Sequence, residues 1–314
     1  METLLSVAFD NLSSYDGPKV KKGLRQVEGL LAQICLSAHA ANRNKNNNNK
    51  SPTTSPSNGP KHQQQPEQPA AAAKAASRFP LSDLSGDAAF REFFKLQDGF
   101  QWNIATRLIQ TLDRLLAKSD DGSMDLLMLS ALDSLQGTLL LHPPSRLLFS
   151  REQSMNLLLD LLEPVNCPAI QAATLLVLVV ALLETPRNTR TFENLDGLLT
   201  VSSIFKSRST ARDVKFKTME FLYFYLMPET PSLPRAGSDG SGAAALLQRS
   251  PSKLSRAFNK RRDGDSGDST ANGVAEDNTL NQLVKQEMLR RHLPNVDELV
   301  KDLQQYAPFG GAVA

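Results

Sequence analysis

The sequence predicts an all-α protein, an armadillo/HEAT-like α-solenoid or a helical bundle, carrying two long disordered insertions. Three observations lead there. Apolar residues recur at three- and four-residue steps wherever the composition is not low-complexity. No Asn-Gly or Asp-Gly pair stands between two alternating apolar runs, because Asp98-Gly99 and Asp196-Gly197 fall between helical patterns, so hairpins are not expected. A weak repeat, R-x-F-x-x-L followed by D-G and an apolar residue, occurs at Arg91–Phe100 and Arg190–Leu198, with Arg146–Phe149 in a similar place without the Asp-Gly. The phenylalanines Phe93, Phe149 and Phe192 are 56 and 43 residues apart, and the second step lies in the armadillo/HEAT range. In each Asp-Gly the glycine is expected to supply the positive φ that ends one helix.

The elements follow in chain order. Residues 1–41 hold the first helices, where Val20, Leu24, Val27, Leu30, Leu31 and Ile34 form an amphipathic stripe after Pro18. Residues 42–77 are rich in Asn, Gln, Pro and Ala and lack large apolar side chains, so they are expected to remain disordered. Residues 78–230 form the central block. It contains the stripes Ile104, Leu108, Leu112, Leu115, Leu116 and Leu126, Leu129, Leu132, Leu135, Leu139. Ser150-x-x-Gln153 and Thr210-x-x-Asp213 have capping-box spacing ahead of two further helices. Residues 231–278, rich in Ser, Gly, Asp and Arg, read as a second disordered linker, in which Ser252–Phe258 could become a short helix on binding. Residues 279–309 carry two short amphipathic helices, Leu280–Arg291 and Asn295–Tyr306, which either cap the stack or fold on a partner.

One segment raises the question of a membrane. Ala172–Leu183 has a single polar side chain, Thr174. A spanning helix wants about 20 apolar residues, and this run is shorter. Pro168 is suited to a first helical turn and Thr185-Pro186 to a stop, which predicts a buried central helix and no membrane insertion.

Charge and residue inventory narrow the function. Lys+Arg number 35 and Asp+Glu 33, a balance that argues against a nucleic-acid binder. Two distant cysteines, Cys35 and Cys167, form neither a disulfide framework nor a zinc pattern and fit a reduced intracellular compartment. The N-terminus does not read as a signal peptide, and neither end carries a lipidation motif. A cysteine phosphatase needs arginine six residues after its cysteine, and Ala41 and Ala173 stand there. Cys167 precedes Pro168 at a helix start, where a dipole can activate a thiol; the plainer reading is an inert buried cysteine. His39 borders the first insertion and His62 lies in it. His142 and His292 end helices before prolines, where they are expected to cap carbonyls. No phosphate loop, dinucleotide fingerprint or nucleophile elbow is present. No enzyme activity, cofactor or metal is expected.

Two features point to interaction and regulation. Ser250 precedes Pro251 with Lys253 further on, a proline-directed phosphorylation pattern; Ser51 and Ser55 are weaker copies. Phe221–Met227 is apolar or aromatic around its whole helix, so Phe221, Tyr223, Phe224 and Tyr225 either fill a core or form a docking surface.

Several long blocks resemble one fungal family. They are Val7–Leu36, Phe90–Ile109 (FREFFKLQDGFQWNIATRLI), Leu139–Glu152 (LLLHPPSRLLFSRE), Met155–Pro186 and Phe221–Pro231 (FLYFYLMPETP), with the ending RRHLPNVDELVKDLQQYAPFG. They look like the cell division control protein 14 family of the septation initiation network, the kinase-associated subunit and not the phosphatase of that name. The resemblance implies a non-catalytic partner of a germinal-centre-type protein kinase, cytoplasmic and recruited to the spindle pole body, acting in cytokinesis and septum formation. The competing reading is a solenoid that binds cargo or a scaffold without a kinase; a transport receptor's tryptophan ladder cannot be built from the single Trp102.

Overall fold

The structure, a computed structural model, describes residues 1–47, 84, 87–118, 122–229 and 279–306. Every regular element among them is helical. Residues 1–224 and 225–314 form two compact units. The phosphorylation candidates Ser51, Ser55 and Ser250, together with His62, lie outside the described residues.

In the first unit α1 (Glu2–Leu12) packs on the long α2 (Gly17–Asn47). Helix α2 continues past residue 41, the boundary drawn from composition, and ends at Asn47. Next come α3 (Ala88–Asp98), α4 (Ile104–Leu116) and α5 (Asp125–Leu141), with a 3-10 turn at Phe100–Trp102. Helix α4 starts where its sequence says it can: Asn103 accepts the Thr106 N–H at 2.8 Å, satisfying one of the orphan donors of the first turn. Its end is tied to α1 by Arg114, whose guanidinium donates to the Leu12, Ser13 and Ser14 carbonyls. Helix α5 packs against α2, α4 and α7 (Pro168–Leu182), so it is the hub of this unit. Its buried stripe is Met128, Ala131, Leu132, Leu135 and Leu139; Leu126, expected on that stripe, is 79% exposed.

Prolines 143 and 144 open a 3-10 segment, Pro143–Ser150, ahead of α6 (Glu152–Leu161). This corrects the capping box at Ser150: the 3-10 segment consumes Ser150, whose hydroxyl donates to the Leu147 carbonyl at 2.8 Å, and Arg151 precedes the helix. Helix α7 is the apolar run that resembled a membrane segment. Cys167 and Pro168 start it, and from Ile170 to Leu183 no residue is exposed. Burying Leu175, Val177 and Leu178 contributes roughly 1.5–3 kcal/mol each. Among the described residues no helix is long and apolar enough to cross a membrane.

Helices α8 (Pro186–Asn194), α9 (Gly197–Lys206) and α10 (Arg212–Leu226) complete the order up to the second unit. Helix α10 starts one residue later than the Thr210 box requires, with the Lys215 N–H bonded to the Ala211 carbonyl. The glycine argument also needs correcting. Gly99 has φ −85°, and at the second Asp-Gly it is Asp196 that takes φ +58°. Gly197 is required for space instead: a Cβ there would lie 2.2 Å from the Phe192 ring.

The repeated phenylalanines Phe93, Phe149 and Phe192 are all fully buried. Buried polar side chains join successive helical groups. Asn103 donates to the Ser145 hydroxyl, and Asn188 donates to the Arg146 carbonyl; each bond spans 42 residues.

The second unit contains the end of α10, α11 (Gln282–Arg290) and α12 (Val296–Tyr306), close to the helix limits read from periodicity. Asn281 caps α11. Lys285 on α11 is buried, donates to the Met227 carbonyl at 3.0 Å, pairs with Glu229 at 3.5 Å and stands 4.7 Å over the Tyr225 ring. A buried ammonium needs such partners, because desolvation otherwise disfavours its charge.

Candidate functional site

The chemistry-bearing side chains come first. His142, read as a carbonyl cap, instead bonds two side chains. Its Nε2 lies 3.1 Å from Asp98 and its Nδ1 lies 2.8 Å from the Ser145 hydroxyl. The ring also meets Phe94 edge-on at 4.5 Å. Burial holds the imidazole below its usual pKa, and the bond to Asp98 only partly offsets this. With the neutral ring donating from Nε2 to Asp98, Nδ1 accepts the Ser145 proton. The Ser145 oxygen in turn accepts from Asn103 at 2.9 Å. These are the residue types of a hydrolytic triad, yet Ser145 is only 3% exposed and its hydroxyl is already bonded to both His142 and Asn103. The arrangement ties α3, α4 and α5 together. Sequence spacing missed it because Asp98 and His142 are 44 residues apart.

Arg146 continues the network. It donates to the Leu139 carbonyl at 3.3 Å and the Leu183 carbonyl at 3.0 Å, and stands 3.6 Å from Glu184. Among the described residues no group of three or more His, Cys, Asp or Glu side chains is placed to hold a metal ion. His292 sits in the turn after α11, its N–H bonded to the Leu289 carbonyl. Cys167 is half-buried at the start of α7.

A groove of about 670 Å³ between α2 and α5 offers room for a ligand. Leu31, Ala32 and Cys35 line it from α2, and Leu129, Gly137 and Leu140 from α5. Two acids, Glu28 and Asp133, face it from opposite helices. Partial burial and the neighbouring Glu28 charge push the Asp133 carboxyl above the usual carboxylate range. Burial also raises the Cys35 thiol, although its residue is exposed at the groove wall. Leu36 and Leu126 are 64% and 79% exposed on the two helices that form the groove. The origin of the groove is visible in α5. Besides its core stripe it carries a second apolar row, Leu126, Leu129, Gly137 and Leu140, which its neighbours leave partly open. A helix apolar on two faces needs cover on both.

The run Phe221–Met227 divides differently from a docking surface. Phe221 is fully buried and meets Phe192 edge-on at 5.5 Å; Tyr225 is 1% exposed. Both are core residues, the first of the two readings the sequence left open for this run. Tyr223 and Phe224 are half-buried.

A family profile described as "Cell division control protein 14, SIN component" matches residues 1–309. The chain belongs to that family. Cell division control protein 14 of Schizosaccharomyces pombe (strain 972 / ATCC 24843) is 28% identical over 226 residues, covering 69% of this chain and 78% of the relative. No solved structure matches the chain. Membership of the cell division control protein 14 family, a component of the septation initiation network, places the chain in cell division and septation.

Proposed function

We propose that this chain is a non-catalytic regulatory or adaptor subunit that binds a germinal-centre-type protein kinase of the septation initiation network. It promotes cytokinesis by holding the kinase in its active arrangement or by bringing it to its place of action. The family match over residues 1–309 carries this reading. The physical counterpart is a helical chain with an apolar groove, Asp133 at its edge, and His142 and Ser145 buried inside. A regulator of this kind acts by population shift: it stabilises the active kinase only to the extent that it binds that state more tightly. The cytoplasm, with recruitment to the spindle pole body, is the proposed site of action.

Affinity purification of the tagged full-length chain from mitotic cells, read by mass spectrometry, tests the reading. Stoichiometric recovery of one germinal-centre-type kinase is expected, with phosphate on Ser250. Recovery of cargo or scaffold proteins without a kinase supports the competing solenoid reading and overturns this one.

A further inference from the structure

We propose that the α2–α5 groove receives an amphipathic helix of the partner kinase. Two apolar side chains one turn apart lie against Leu31, Leu129 and Leu140, and a lysine or arginine lies between Glu28 and Asp133. The inference rests on the kinase-subunit reading and names the surface that reading leaves open. Four observations carry it.

The first is shape. Two packed helices make a trough whose apolar wall runs from Leu126 to Leu140 on α5. At 1.5 Å per residue that is about 21 Å, or roughly four turns of a third helix lying alongside. The second is charge. Glu28 and Asp133 are both exposed, and partial burial together with the Glu28 charge raises the cost of ionising Asp133. A cation between them relieves that repulsion, whereas an acidic ligand increases it. The third is Gly137. Glycine in a helix interior is about 1 kcal/mol less favourable than alanine. A Cβ at Gly137 would meet only Leu31 Cδ1, at an ordinary 3.6 Å. The fold of the free chain therefore does not require glycine here, while a docked backbone gains a closer approach from it. The fourth weighs against a symmetric second copy: a two-fold contact centred on this groove sets Glu28 and Asp133 against the same two acids.

Cys35 lies in the groove wall and serves as its reporter. The experiment uses the full-length chain and the purified germinal-centre-type kinase from the same organism, with maleimide labelling of Cys35 and Cys167 followed by mass spectrometry. Saturating kinase should slow labelling of Cys35 about tenfold and leave Cys167 unchanged. Glu28→Lys with Asp133→Lys, and separately Gly137→Leu, should weaken the complex about tenfold or more. Leu199→Glu, at an exposed position on α9, should bind as wild type does. Circular dichroism and the unfolding midpoint establish that each variant is folded; if Gly137→Leu does not fold, the exposed charge pair decides. Wild-type affinity in the charge-reversed chain, or unprotected Cys35 in a formed complex, overturns the groove while leaving the kinase reading intact. Protection of Cys35 that rises with the concentration of the free chain alone assigns the groove to a second copy and also overturns it. No complex between wild-type chain and kinase overturns both.

Discussion

Asn188 offers the sharpest test of how successive helical groups are held together. Its side-chain amide donates to the Arg146 carbonyl at 2.7 Å and to the Ala181 carbonyl at 2.6 Å, and the residue is fully buried. Ala181 is in the last turn of α7, where a carbonyl has lost its helical partner. Asn188→Ala leaves both carbonyls buried without this donor, at about 1–3 kcal/mol each. Part is returned, because the Asn188 Oδ1 atom is itself buried without a hydrogen bond. The net loss expected is about 2–4 kcal/mol. Asn188→Asp should be worse than alanine at neutral pH, since it aims a carboxylate at two carbonyl oxygens. That excess should shrink in acid, as the new carboxyl protonates and donates one bond. Urea unfolding followed by circular dichroism reads the midpoints at fixed slope. An aspartate variant as stable as the alanine variant at pH 7, or an alanine variant within 0.5 kcal/mol of wild type, would refute the donor argument (that margin is about what an ordinary surface change does).

Three further outcomes follow from single sites. Leu178→Asp buries a carboxylate in α7, where wild type has 0% exposure, so soluble yield should collapse; wild-type protein that needs detergent for extraction would contradict the buried-helix assignment. Gly197→Ala should destabilise by about 1–3 kcal/mol, measured by thermal unfolding, because the added Cβ meets the enclosed Phe192 ring. His142 has a folded pKa below its ordinary value, so the unfolded state binds more protons near and below pH 6.5. Its contribution is present above that pH and lost as pH falls through the folded value. His142→Gln should lack that part of the acid slope in pH-dependent urea unfolding, and an unchanged slope would show that the ring does not titrate on unfolding.

Much of the helical order was legible because it depends on local periodicity. The stripe ending at Leu115, the prolines bounding α7 and the two C-terminal helices were readable from neighbours in sequence. Ser150 shows where local reading fails. Its spacing to Gln153 is right for a cap, but Pro143 and Pro144 start a 3-10 segment upstream that uses the residue. Asp196 shows a second failure: the Asp-Gly pair marks the turn correctly, while the positive φ falls on the aspartate and the glycine instead leaves room for the Phe192 ring. The Asp98–His142–Ser145 chain and the buried Lys285–Glu229 pair join residues distant in sequence, so no spacing rule reaches them. The groove was hidden for a related reason. Leu126 and Leu129 were counted into one stripe of α5, and only the packing of α2 shows which row the core takes and which stays open.

The most direct test of the central claim is analytical co-elution of the purified full-length chain with the purified germinal-centre-type kinase, with kinase turnover measured on the same fractions. A one-to-one complex whose turnover exceeds that of the kinase alone is the predicted result. Separate elution with turnover unchanged at saturating chain would contradict it.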